Sequence, residues 1–137
     1  MRQGEIAELW MRKPAIAGVA LAAPSIAVYA ALPDRLAPVG AALLLVAVAA
    51  VYLGFAFADG SPVRIVTEFI GLVVFGGAAL VGIDGPIWII PTFLALHPVW
   101  DWMHHPRALG GAPTWFPTAC ALFDLPVAAS IAWRLCF

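Results

Sequence analysis

The stretch Ala37–Ala58, APVGAALLLVAVAAVYLGFAFA, contains no charged residue and is apolar on every face. At 1.5 Å of rise per residue a helix of this length reaches about 33 Å, enough to cross a hydrocarbon core about 30 Å thick. Backbone amides cannot stay unpaired in lipid, and the run lacks the alternation of a barrel strand, so it reads as a transmembrane helix. Working outward, four more runs fit the same description: Pro14–Leu32 before it, then Ile65–Ile83, Pro86–Met103 and Thr114–Trp133 after it. Short breakers separate them at Pro33-Asp34-Arg35, Asp59-Gly60-Ser61-Pro62 and Asp84-Gly85-Pro86, with a longer one from His104 to Pro113. Glycine and proline at these points are turn chemistry. The expected fold is an all-α integral membrane protein, one transmembrane domain over residues 1–137 built as a bundle of about five helices.

Composition supports this. The chain is 64% hydrophobic and 11% charged, with a mean hydropathy of +0.97, whereas a soluble domain is about half apolar and a quarter charged. A net charge of -1 offers no bulk attraction to nucleic acid. Cys120 and Cys136 form neither a CxxC nor a zinc-finger spacing. Arg2, Arg12 and Lys13 precede the first apolar run, and Val28-Tyr29-Ala30 loosely fits a signal cleavage site. The run Pro14–Leu32 is longer than a signal h-region, so it is read as a retained helix.

Lysine and arginine set the orientation. With the N-terminus in the cytoplasm, the inner side carries Arg2, Arg12, Lys13, Arg64 and Arg107, against Arg35 and Arg134 outside. The positive-inside rule then predicts N-terminus cytoplasmic, C-terminus outside, in an inner or plasma membrane. Trp10, Trp100, Trp102 and Trp115 fall at the inner interface, and Trp88 and Trp133 at the outer one, as aromatic belts require. Small residues one turn apart, such as Gly18 and Ala22, Gly76 and Gly77, and Ala78 and Gly82, are expected to let helices pack closely.

Charged groups inside a membrane helix cost about 3 kcal/mol each at its centre, so their presence asks for a reason. Glu68 lies about 6 Å from the cytoplasmic end of the third helix, His97 about 10 Å deep in the fourth with Asp101 below it, and Asp124 about 15 Å deep in the fifth. All of them share one half of the bilayer. On the fourth helix His97, Asp101, His104 and His105 are spaced i, i+4, i+7 and i+8, which puts them on one face. Paired i,i+4 side chains can chelate one ion, and imidazole with carboxylate suits a divalent metal: zinc or iron, with manganese a further fit. His97, Asp101, His104 and His105 are therefore the expected metal ligands. Asp124 and Glu68 would complete the shell or act as general acid and base. Pro91 and Pro98 are expected to bend the helix over this site. Cys120, one turn before Asp124, shares its face as a thiolate ligand or as a small core residue.

Blander readings stand beside these. His104 and His105 fit a helix C-terminus at the interface, and His97 fits an interhelical hydrogen bond. Asp101 suits an ion pair with Arg107 or Arg64, and Glu68 one with Arg64, four residues earlier on its helix. Asp124 has no lysine or arginine at its depth and needs a proton, a histidine or a metal.

The string His97-Pro98-Val99-Trp100-Asp101-Trp102-Met103-His104-His105 resembles the histidine boxes of the di-iron lipid hydroxylases and desaturases. Those enzymes use many more histidines than the three here, which excludes their standard site within one chain. The string is also similar to the transmembrane histidine and aspartate ligands of the intramembrane zinc hydrolases of the alkaline ceramidase and adiponectin-receptor group. That group has more helices and a serine partner that this bundle lacks. Both resemblances are confined to this string.

The leading expectation is a metal-dependent membrane enzyme, hydrolase or oxidoreductase, acting on a lipidic or small hydrophobic substrate through a cavity open to the cytoplasm. A proton- or ion-coupled transporter or channel is the alternative, but it would need polar groups along the whole path, and the outer half is almost wholly apolar. A haem-binding or accessory subunit comes third, since all three histidines fall on one helix. A homodimer or a larger membrane complex is compatible with each.

Overall fold

The computed structural model of the chain describes residues 13–104 and 111–137, together with Glu5 and Glu8. Between residues 13 and 137 the described residues form five helices in chain order: α1 (Pro14–Ala31), α2 (Ala37–Asp59), α3 (Pro62–Asp84), α4 (Ile89–Met103) and α5 (Phe116–Cys136), with a 3-10 turn at Asp34–Leu36 before α2. Four of the five open with a proline in their first two positions, Pro14, Pro38, Pro62 and Pro117. There the missing N–H costs nothing and the fixed φ starts the helix. Gly60 ends α2 in the left-handed region at φ 74° and returns its N–H to the Ala56 carbonyl, which is how the chain turns tightly into α3.

Four stretches, Pro14–Ala31, Asp34–Asp59, Pro62–Asp84 and Phe116–Cys136, are long and apolar enough to cross a membrane. The protein is thus all-α, with four to five long apolar helices consistent with a membrane-spanning bundle. Helix α4 is the short one: its 15 residues reach about 22 Å. The expected start at Pro86 is corrected to Ile89, because Pro86–Trp88 remain in the turn. Pro91 consequently falls in the first turn of α4, where no backbone donor is needed, and Pro98 alone is interior.

Helix α2 packs along α3, α4 along α5, and α1 along α5, while α3 also meets α4. Tyr29, Leu45, Tyr52, Ile90, Leu94 and Ile131 are fully buried between them. Large apolar side chains such as Val28, Leu43, Phe57, Val63 and Leu80 face outward, which suits lipid and not water.

Two contacts fix α1 against α5. Arg134 of α5 donates to the carbonyls of Tyr29 and Leu32 at the end of α1, the latter at 2.5 Å. It also reaches Asp34 Oδ1 at 3.0 Å, satisfying C-terminal carbonyls that a helix leaves free. Nearer the other end, a Cβ at Gly18 would collide with the Ala119 carbonyl. The expected close packing at Gly18 and Ala22 is therefore present, and Ala78 and Gly82 are buried as well. At Gly76 and Gly77 an added Cβ would meet nothing within 4 Å. Gly18→Leu is expected to push α1 off α5 and cost about 2 kcal/mol, read as a lower denaturation midpoint in detergent. An unchanged midpoint would mean that the two backbones are not in contact.

Candidate metal centre

Helix α4 carries His97 and Asp101 one turn apart, and α5 carries Cys120 and Asp124 with the same spacing, so each pair lies on one face of its helix. Because α4 and α5 pack along each other, the two faces meet. All four side chains are buried, His97 and Asp124 at 0% exposure. His97 Nδ1 donates to Asp124 Oδ2 at 2.8 Å and stands 3.6 Å from Asp101 Oδ1. Cys120 Sγ lies 3.8 Å from Asp124 Oδ2 and 4.0 Å from His97 Nδ1. One ligand atom from each of the four falls within 4.8 Å of all the others. A buried His/Asp/Cys cluster capable of coordinating a divalent metal ion therefore exists within this helical, membrane-type bundle.

The donor set fits such an ion. Imidazole, thiolate and carboxylate are the ligands of tetrahedral zinc, and the imidazole and carboxylates alone also suit iron or manganese. Two carboxylates this close repel each other in a low-dielectric interior unless a proton or cation lies between them. Three buried atoms at the cluster, His97 Nε2, Asp101 Oδ2 and Asp124 Oδ1, have no hydrogen-bond partner. Buried polar atoms are nearly always paired, so an orphan oxygen on each of two neighbouring carboxylates suits a bound ligand.

A third helix braces the cluster. Tyr52 of α2 donates its hydroxyl to Asp101 Oδ1 at 2.7 Å. Its ring also packs on His104 at 4.1 Å between centroids. His104, which caps the end of α4, donates from Nδ1 to the Trp100 carbonyl at 2.8 Å and meets Glu68 Oε1 through Nε2 at 2.5 Å. Trp100 Nε1 donates to the other Glu68 oxygen at 3.2 Å. Both oxygens of Glu68 are thus engaged. Phe75 packs edge-on to His97 at 4.9 Å and helps keep the site dry.

The sequence-expected residues divide accordingly. His97, Asp101 and Asp124 come together. Glu68 and His104 form an adjoining pair, and His105 lies outside the described residues. The blander pairing of Glu68 with Arg64 does not occur: Arg64 bonds Asp59 at 2.6 Å, because a short turn brings the end of α2 to the start of α3. Asp101 likewise takes Tyr52 and not Arg64, and Arg107 lies outside the described residues. Asp124 finds the histidine partner that its depth demanded, and Cys120 shares its face as its spacing required. Tyr52 was not foreseen. A signal existed, since its hydroxyl sits about 10 Å above the Asp59 end of α2, in the same half as the other polar groups, and a buried tyrosine hydroxyl needs an acceptor.

Among the described residues the buried polar and charged ones are Glu68, His97, Asp101, His104 and Asp124. All lie in the half of the bundle where α2 and α4 end and α3 and α5 begin. No family model matches the chain, and neither does any curated protein or solved structure.

Proposed function

We propose that this integral membrane protein is a metal-dependent enzyme acting on a lipidic or membrane-partitioned substrate, with His97, Asp101, Cys120 and Asp124 holding the ion. The observation that carries the reading is the convergence of four buried ligand atoms from two helices, two of them on carboxylates that each keep an unpartnered oxygen. When bound, zinc would supply a Lewis acid for hydrolysis, and iron or manganese a redox centre. The chain's own groups prepare that chemistry. Tyr52 fixes Asp101, and His97 holds Asp124 by one oxygen, which leaves its second oxygen as the ligand atom. Glu68, with both oxygens engaged, acts as a positioning residue through His104 and Tyr52. The apolar half of the bundle opposite the site speaks against a transport path and for a site reached from one side. By its arginines and lysines that side is the cytoplasmic one, with the C-terminus outside and an inner or plasma membrane as the location.

Metal analysis of the chain purified in mild detergent tests the proposal. Near-stoichiometric zinc, iron or manganese is expected in the natural protein. Asp101→Asn should abolish it, and Cys120→Ser should weaken zinc retention at least about tenfold. Absence of metal from the natural chain, including after reconstitution with each ion, would overturn it.

A further inference from the structure

Of the four donors in the cluster, the Cys120 sulfur discriminates most among divalent ions, because a thiolate is soft where a carboxylate is hard. Its Sγ stands 4.0 Å from His97 Nδ1 and 3.8 Å from the Asp124 carboxylate, and one donor atom of each residue lies within 4.8 Å of the other three. The donors of a tetrahedral zinc shell, at bond lengths of about 2.0–2.3 Å, are about 3.3–3.6 Å apart. Side-chain shifts of about 1 Å therefore close the cluster on one such ion.

The number of donors points the same way. The four side chains are buried, none more than 6% exposed. Phe75 packs edge-on to His97, and the Tyr52 hydroxyl occupies Asp101 Oδ1. Manganese and magnesium favour six oxygen-rich ligands and draw the balance from water. Iron(II) oxygenase sites pair two histidines with one carboxylate and leave positions open. A dry cluster with one histidine and one thiol matches neither pattern. Zinc is satisfied by four donors and takes sulfur, nitrogen and oxygen together. The two carboxylates disfavour copper(I), another ion that thiolates select. Zinc also expands to five ligands in a transition state, so a shell of four residues still admits a substrate oxygen.

We infer that the ion of this centre is zinc, that Cys120 is its thiolate ligand, and that Cys120 is the residue selecting zinc over iron and manganese. The reaction class is then hydrolytic and not redox, since zinc has no redox chemistry. This rests on the metal centre proposed above and narrows it.

Cys120 also lines an apolar pocket of about 240 Å³ among α1, α2 and α5, with Leu21, Leu44, Val51 and Phe123, which gives a small uncharged reagent a way to the sulfur. The test uses the full chain in mild detergent carrying Cys136→Ser, because Cys136 is exposed and is the other cysteine. Offered zinc, iron(II) and manganese at equal concentration after chelation, the protein should prefer zinc to manganese at least about a hundredfold, and Cys120→Ser should cut that preference at least about tenfold. Cobalt(II) in place of zinc should give the visible bands of a four-coordinate ion and a near-ultraviolet thiolate-to-cobalt band; Cys120→Ser should lose the second. N-ethylmaleimide should alkylate Cys120 in the metal-free protein and at least about tenfold more slowly with zinc bound. The cobalt band and the alkylation use the natural Cys120, so they decide the matter even if Cys120→Ser does not fold. Iron or manganese taken up as well as zinc, bound cobalt without the thiolate band, or alkylation indifferent to zinc would overturn the assignment and leave a centre of histidine and carboxylates. No uptake of any of these ions would instead overturn the proposed function itself.

Discussion

Asp124→Ala is expected to abolish the metal binding proposed for the cluster and lower stability by about 3 kcal/mol, while Asp124→Asn abolishes that binding and keeps most of the stability. Asp124 is wholly buried and accepts from His97 Nδ1 at 2.8 Å. Truncation to alanine leaves that nitrogen facing Asp101 Oδ1 at 3.6 Å and Cys120 Sγ at 4.0 Å, both poorer than the bond it loses. Removing one partner of a buried charged pair is among the costliest substitutions known. An asparagine oxygen can still accept from His97, so the bundle survives, but a neutral amide is a poor ligand for a hard or borderline cation. The two effects are read separately, metal content by elemental analysis and stability by denaturation in detergent. If both variants keep full metal, Asp124 is no ligand. If alanine and asparagine are equally stable, the His97–Asp124 bond carries no weight.

The second large effect is expected at Glu68, with the opposite pattern. Glu68→Ala leaves His104 Nε2 and Trp100 Nε1 without their acceptor. Two unpartnered groups at about 1–2 kcal/mol each give a loss of about 3 kcal/mol. Metal content should fall by no more than a few-fold, since Glu68 is outside the four-residue cluster and acts on it only through His104, Tyr52 and Asp101. Glu68→Gln keeps an acceptor and a donor in place and should recover most of the stability. Loss of metal in Glu68→Gln comparable with that in Asp124→Asn would return Glu68 to the ligand set.

These two carboxylates also mark how far the sequence can be read. Lipid forces a helix to carry an unbroken apolar run of a set length, so the bounds of α1, α2, α3 and α5 fall within a few residues of those expected from hydropathy and turn residues. The start of α4 was misplaced by three residues, because Pro86–Trp88 are apolar enough to pass for helix while the turn after Asp84 still occupies them. Depth was legible as well. Counting rise per residue put Glu68, His97, Asp101 and Asp124 in one half of the bundle, and that half is where they lie.

Partnership was not legible, and the reason is rotational. An amphipathic helix announces which face it buries, but helices that are apolar all round give no such signal. The spacing His97–Asp101–His104–His105 therefore suggested one shared ligand face on α4. In the folded bundle α4 lies between α3 and α5. That divides its polar face, so that His97 and Asp101 meet Asp124 and Cys120 while His104 turns to Glu68. The sequence alone determined that the chain is a helical membrane protein with its buried charges gathered at one depth, because hydropathy and helical rise are local properties. Which of those charges face each other was decided only by tertiary packing, through the close approach at Gly18, the Arg134 clamp on α1 and the hydroxyl of Tyr52, since contacts between distant segments fix each helix's rotation.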